Sequence, residues 1–388
     1  MNVGRTVFAQ LMDLVPLRAL HRCAARYGGD RKVRTLRCLD QFLALAFGQL
    51  TYRESLRDVC VCLDALGAKR YHMGWRAPIK RSTLADANER RDWRIFRDFG
   101  EHLIALARPL YAGDALGSAL RGSVFALDAT LIRLCRSVFP WATYRRTTAG
   151  IKLHTVLELR SQLPTIVRLS PGRDNDMTFL QHVVPEPGAV YLLDRGYMDF
   201  AGLYRFTEAH AFFVVRAKRN LGMQVMRRRR PSDPTIRADH TIQFTVRASL
   251  RAYPRQLRLI RYRDPETGRT YRFLTNHLQL PALTVVSLYR QRWQIELFFR
   301  WIKQHLRIKA FYGESENAVY TQVWVALAVY VLVALAKKRY ASPLPMHTIL
   351  QILSISLCEK VELQQLLTPS LLELESPDFA KQLSLFDF

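Results

Sequence analysis

Four residues in the stretch 287–306 are of types that could do chemistry together: Tyr289, Arg292, Glu296 and Lys303. The stretch holds no Gly or Pro and is rich in strong helix formers, which predicts one helix of several turns. At roughly 100° per residue the four side chains fall on one stripe, within an arc of about 60°. Ile295, Phe299 and Leu306 flank the stripe on one side, and Trp293 and Leu297 on the other. A solvated face normally lies opposite the apolar face, not inside it. An acid beside basic and phenolic groups suits a metal ligand, Glu296, with Arg292 and Lys303 on phosphates. The same residues would also make a salt-bridge row on an ordinary surface helix.

The spacing Tyr289-x2-Arg292-x3-Glu296-x6-Lys303, set in RWQIELFFRWIK, resembles the Y-R-E-K signature of insertion-sequence transposases, in the branch named after the fourth insertion sequence. In that family the Glu closes an Asp-Asp-Glu metal triad. The resemblance implies two upstream aspartates at strand ends and two Mg2+ ions, with Mn2+ able to substitute. It implies double-stranded DNA as substrate, both the element's terminal repeats and the target, and a homodimer on paired ends. It also implies a sequence of nicking, hairpin formation, resolution and insertion. The residues by themselves support metal-dependent phosphoryl transfer on DNA. Two alternatives stand beside the transposase: a non-catalytic DNA-binding derivative, and a stand-alone nuclease with the same core.

Two acids upstream fit the requirement. Ser123–Arg133 is an apolar run of strand length with Asp128 inside it, and Ala189–Tyr197 repeats the pattern with Asp194 before a Gly turn. A charge within a buried strand is costly unless something neutralises it. Three gathered carboxylates raise one another's pKa, and hard divalent cations resolve the repulsion. Two such ions suit in-line displacement at a phosphodiester. Arg195, beside Asp194, joins Tyr289, Arg292, Lys303 and Tyr271 as a DNA-binding candidate. Tyr271 lies where relatives place an aromatic that stacks on a flipped base, and a cross-strand pair is the other reading of it. Asp174, Asp176 and Asp199 are acids of nearby loops, and His154 reads as a core histidine.

The order of elements after residue 115 is three strands, helix, strand, helix, strand. This predicts an α/β fold: a ribonuclease-H-like core, a mixed sheet flanked by helices, with Asp128 and Asp194 on neighbouring strands. The expected domains are a helical N-terminal DNA-binding domain (1–115), the core (116–217 and 282–340), an all-β insertion (218–281) and a helical tail (341–388). Within the insertion, Arg227–Arg230 reads as a mobile loop. A helix is expected at Met177–Val184, one opening at Thr51 with Glu54 in a capping box, and one running from Ser82 through Phe99. Two short helices are expected in the tail, at His347–Cys358 and Leu363–Leu374, ahead of an apolar end at Leu383–Phe388.

Charge sets the class of partner. The 388 residues carry 58 Lys+Arg against 33 Asp+Glu, net +25, which favours a polyanion. Cys60-x-Cys62 is too close for a zinc knuckle, and the six cysteines read as reduced thiols. MNVGRTVFAQLMDLVP lacks the apolar core of a secretory signal. The longest apolar run, Val323–Ala336, is short for a membrane span. The expectation is a soluble cytoplasmic protein associated with the bacterial nucleoid, with no membrane partner.

Overall fold

A computed structural model of the chain describes residues 4–113, 122–146, 148–218, 220–231, 233–305 and 311–368. The chain runs α1 (Val7–Met12), α2 (Leu17–Arg26), α3 (Cys38–Leu50), α4 (Leu56–Ala65), α5 (Lys69–His72), α6 (Arg81–Arg90) and α7 (Arg94–Ala107). Next come β1 (Val124–Leu134), β2 (Thr143–Arg145), β3 (Thr148–Glu158), β4 (Leu163–Pro171), β5 (Val190–Leu193), α8 (Phe200–Glu208) and β6 (Phe212–Arg216). Then follow β7 (Met223–Arg229), β8 (Ile236–Phe244), α9 (Arg247–Ala252), β9 (Leu257–Arg263), β10 (Thr270–Thr275), α10 (Ala282–Gln291), α11 (Trp293–His305), α12 (Glu316–Arg339), α13 (Met346–Ser356) and α14 (Leu363–Leu367). They form two compact units, residues 1–103 with 305–388, and residues 104–304.

The helical unit is built around α3 and α12. Helix α3 is buried along most of its length, beyond the single stripe its apolar spacing predicts. Helix α12 is apolar all round, and α1, α3, α6 and α13 pack on it. It is long and apolar enough to cross a membrane, yet 94% of its apolar window is buried within the fold. Each large apolar side chain so buried stabilises the unit by roughly 1.5–3 kcal/mol. Gly100 permits the approach of α7 to α12, since a Cβ there would lie 3.1 Å from the Trp324 ring. Polar side chains fix the joins. Gln10 donates to the Val361 carbonyl (2.7 Å) and accepts from the Leu363 amide (2.9 Å), and Asn317 donates to the carbonyls of Asn88 and Arg91.

Three expectations shift here. Helix α4 is capped by Ser55, whose hydroxyl accepts from the Asp58 amide while Asp58 accepts from the Glu54 amide; Thr51 instead ends α3. The helix expected from Ser82 through Phe99 is two, α6 and α7, parted at Arg91–Trp93. Helix α12, expected in the catalytic core, packs with the N-terminal helices, because a helix with no polar face needs apolar neighbours on every side. The segment around Gly113–Gly122 and the end Leu383–Phe388 lie mostly or wholly outside the described residues.

The second unit is one ten-stranded sheet in the order β2-β3-β1-β5-β6-β10-β9-β8-β7, with β4 paired to β3. Strands β1, β5 and β6 are parallel neighbours, and the flanking pairs are antiparallel. The Arg160–Gln162 hairpin joins β3 to β4, with Gln162 in the left-handed region (φ 54°). Phe125, Leu127, Tyr191, Leu193, Phe213 and Val215 share one core with Leu203 and Phe206 of α8 and with Ile242, Leu257 and Leu274 of the inserted strands. The insertion therefore continues the central sheet, and α9 adds a helix to it. Arg227–Arg229, expected in a mobile loop, lie in β7 and pair with β8. The helix expected at Met177–Val184 is a 3-10 segment, Asp176–His182.

Candidate active site

Strands β1 and β5 run side by side as far as Leu127 and Leu193, which are register partners. The next residue of each strand is an aspartate, Asp128 and Asp194. Beyond this point β5 ends while β1 continues along β3, so both acids stand where the parallel pairing stops. This is the carboxyl end of an α/β sheet, where the twist opens a crevice. Leu127 and Leu193 are fully buried and anchor the pair from below.

The third acid arrives on a broken helix. One continuous helix was expected over 287–306, but α10 stops at Gln291 and α11 starts at Trp293. Around Arg292 the amides bond three residues back rather than four: Arg292 N–H to the Tyr289 carbonyl and Ile295 N–H to the Arg292 carbonyl, both 3.1 Å. Such tightening is a 3-10 turn within a helical path. Arg290 donates to the Tyr262 hydroxyl (2.7 Å), and the Tyr289 ring rests 4.7 Å from that of Phe273, which hold α10 against the sheet.

Arg292 is the joint of the site. Its guanidinium donates to Asp128 Oδ2 at 2.8 Å and to Glu296 Oε1 at 2.5 Å, so one fork bridges two of the three acids. Its side chain is 14% exposed, with Asp128 at 22% and Glu296 at 32%. Tyr289 donates to Asp194 Oδ1 at 3.4 Å. Burial pushes the Asp128 carboxyl up to about 6; Arg292 and the Ala129 amide oppose that rise, while the charges of Asp194 and Glu296 add to it. Burial works against the Arg292 charge, but Tyr289, Asp128 and Glu296 outweigh it and hold the guanidinium above its usual range. Burial first, then Asp194, take the Tyr289 phenol up to about 12.

The three acids thus act on one another. Among the described residues, however, no three acid, His or Cys side chains are close enough to hold a metal as they stand. The gathering of three carboxylates that the resemblance implies is not closed here, because the Arg292 guanidinium lies between Asp128 and Glu296. The donor set still fits a hard divalent ion. It is all carboxylate oxygen, and a cationic group already sits between two of its members.

The remaining candidates divide. Lys303 is half-buried on α11, two turns beyond Glu296 and on its face. Arg195 is exposed and opens the 3-10 turn after Asp194. Tyr271 is half-buried in β10 opposite Tyr262, with the Arg216 guanidinium 5.3 Å over its ring, so the cross-strand pair is present. Asp176 pairs with Lys152 (2.9 Å), Asp199 caps α8, and the Asp174 carbonyl accepts from Lys152. His154 is buried, bonded to the Ser170 hydroxyl (2.9 Å) and stacked on Phe179. Trp293 and Leu297, expected to be an apolar flank, are each 45% exposed, while Ile295 and Phe299 are buried.

One neighbour escaped the sequence reading. Tyr197 is 1% exposed, its hydroxyl has no hydrogen-bond partner, and it faces Asp128, Asp176 and Asp194. Burial, then those three charges, raise its pKa. The signal was the turn Asp194-Arg-Gly-Tyr197, which keeps the buried phenol within electrostatic reach of the acid.

Comparison with known proteins gives the family of the chain. Residues 120–332 match the family described as Transposase DDE domain, and residues 3–76 match a domain of unknown function, DUF4372. The chain is 34% identical over 261 residues to y4zB of Sinorhizobium fredii, named as a transposase, covering 66% of this chain and 71% of that protein. It is 34% identical over 215 residues to a Geobacillus stearothermophilus protein named as the transposase of insertion sequence element IS5377, covering 53% and 54%. A piggyBac transposase in a synaptic complex with hairpin DNA is similar at TM-score 0.44 and 11% identity, over 96% of this chain and 81% of that one. The matched family generally uses divalent metal ions. With more than half of its length in the matched domain, and a relative 34% identical over 261 residues, this chain belongs to the DDE transposases, enzymes that cleave DNA and transfer its strands.

Proposed function

We propose that the chain acts at the ends of an insertion sequence, with Asp128, Asp194 and Glu296 as the three acids that hold its divalent ions. The observation that carries this reading is the single guanidinium bridging Asp128 and Glu296, two acids brought together from distant parts of the chain. Two Mg2+ ions, with Mn2+ as a substitute, would be held by these carboxylates. When bound, such ions supply the positive charge that favours in-line displacement at a phosphodiester.

The chain's own groups do the rest. Asp128 and Asp194 are held at fixed strand ends, and Tyr289 orients Asp194 through its hydroxyl. The Arg292 fork matches phosphate oxygens as well as carboxylates, and it can pass from Glu296 and Asp128 to a DNA strand. Lys303 and Arg195 add point contacts to the backbone. Tyr271 offers a ring face to an unpaired base. The substrate is double-stranded DNA, first the terminal repeats and then the target, engaged by a homodimer in the bacterial cytoplasm. Support for the dimer is the family resemblance, and for the compartment the free thiols.

The test is a labelled duplex carrying the element's end, incubated with purified protein and Mg2+ or Mn2+. Wild type should nick at the end and then join the freed 3′ end to a second duplex. Asp128→Ala, Asp194→Ala and Glu296→Ala should each lower nicking on the order of a hundredfold or more. Normal nicking by Glu296→Ala overturns the assignment of the third acid. Nicking without joining identifies a nuclease.

A further inference from the structure

Three tyrosines are buried in the core of the sheet unit: Tyr191, Tyr197 and Tyr253, each at most 2% exposed. A buried phenol normally brings its hydroxyl to a partner. Two of the three do so. The Tyr191 hydroxyl accepts from the Glu186 amide (2.9 Å), and the Tyr253 hydroxyl meets that of Thr207 (2.6 Å). The Tyr197 hydroxyl has no partner among the described residues. A phenylalanine would fill the same place without leaving a donor unmet, so this hydroxyl costs stability in the state seen here.

Its surroundings show what could meet it. Tyr197 ends the 3-10 turn Arg195–Tyr197, and its amide donates to the Asp194 carbonyl (3.0 Å), which ties the ring to the end of β5. After burial, Asp128 acts on the phenol most strongly, ahead of Asp176 and Asp194. Asp176 is engaged by Lys152 (2.9 Å) and Asp194 by Tyr289 (3.4 Å). Asp128 Oδ1 accepts from the Ala129 amide and Oδ2 from Arg292, both at 2.8 Å. The second of these bonds ends when the Arg292 fork passes to a phosphate. Asp128 then keeps a largely buried carboxylate with one oxygen unpaired, which is costly. A phenol within electrostatic reach, with its own hydroxyl unmet, is the donor suited to that oxygen.

We propose that Tyr197 is a positioning residue: its hydroxyl donates to Asp128 once Arg292 has left, and so fixes that carboxylate for the reaction. The ring is held by its packing in the core, so the carboxylate is the partner that turns. A hydrogen bond of this kind orients an acid that holds an ion. The inference rests on the reading of Asp128 as an ion-holding acid and of Arg292 as a phosphate contact.

The experiment is a set of thermal melts on the full chain, without metal or DNA. In the wild-type background Tyr197→Phe should raise Tm, because it removes an unmet hydroxyl. In the Arg292→Met background, where the fork is gone, the same change should lower Tm, because the hydroxyl is then bonded to Asp128. Tyr191→Phe removes a hydroxyl that already has a partner and should lower Tm in both backgrounds. A second measurement keeps Arg292 in place. The Mn2+ concentration for half-maximal nicking of the element-end duplex should rise about tenfold in Tyr197→Phe, and should stay at the wild-type value in Tyr191→Phe. An effect of Tyr197→Phe on Tm with the same sign in both backgrounds, or a wild-type Mn2+ requirement in that variant, overturns the role. Failure of the underlying reading looks different: a wild-type chain that does not nick loses the proposed function, while the change of sign in the melts still decides the exchange of donors.

Discussion

A carboxyl pushed up to about 6 by burial is already partly protonated close to neutrality, and Asp128 is such a group. In the unfolded chain an aspartate titrates near 3.9. The folded state therefore binds the proton more tightly, and the stability linked to Asp128 is greatest below about pH 4 and is lost as pH rises through about 6. A rise of that size is worth about 3 kcal/mol at most. Asp128→Asn keeps an acceptor for Arg292 and removes the charge. Without added metal it should raise stability by about 2 kcal/mol at pH 8 and by little at pH 4, read from urea melts at both values. An equal effect at both pH values would show that Asp128 is not the group under strain. Both aspartates were legible in the sequence, because an acid inside an apolar run stands out. The bridging place of Arg292 was not. Its type and spacing were plain, but a periodic wheel cannot show two amides bonding three residues back and swinging the guanidinium between acids from different elements.

Elements in the insertion are pinned by one buried ion pair. Arg258 and Asp239 are 3% and 7% exposed, joined by two bonds of 2.6 and 2.7 Å between β9 and β8. Removing one partner of such a pair leaves an uncompensated buried charge and costs about 3–5 kcal/mol. Arg258→Met should lose that much in denaturant melts, and Arg258→Met/Asp239→Leu should recover most of it. If the single variant melts like wild type, the pair is dispensable. This strand arrangement was half legible. The runs of β9 and β10 and the turn at 264–268 alternate and stop as strands should. The arginines of β7 did not read as a strand, because four like charges in a row suggest a solvated loop; pairing along a sheet edge supplies the order their own chemistry withholds.

At the scale of the whole molecule, the helical unit is made from both ends of the chain, with the sheet unit between them. That was the least legible part. Helix α12 is apolar on every side, so its sequence names no partner, and only packing assigns it to α1, α3, α6 and α13. A chain ended at residue 310 would keep α1 and α3, whose Phe8, Phe42 and Leu45 are fully buried in the intact fold, without the helix that packs on both. It should bind ANS and be cut by protease within the first hundred residues, while a fragment beginning near residue 104 survives; an intact N-terminal fragment would show that the first helices fold by themselves.

The same interleaving fixes an order of events on the ribosome. Helices α1 to α6 emerge first, but the surface that completes them is translated about two hundred residues later, or some ten to forty seconds at about 5–20 residues per second. During that interval the sheet with its three acids can close on its own core, while the early helices wait as a sticky, unfinished partner. Each new copy can thus complete its sheet unit before its helical unit is whole, and a message broken early would leave the first helices without the helix that packs on them.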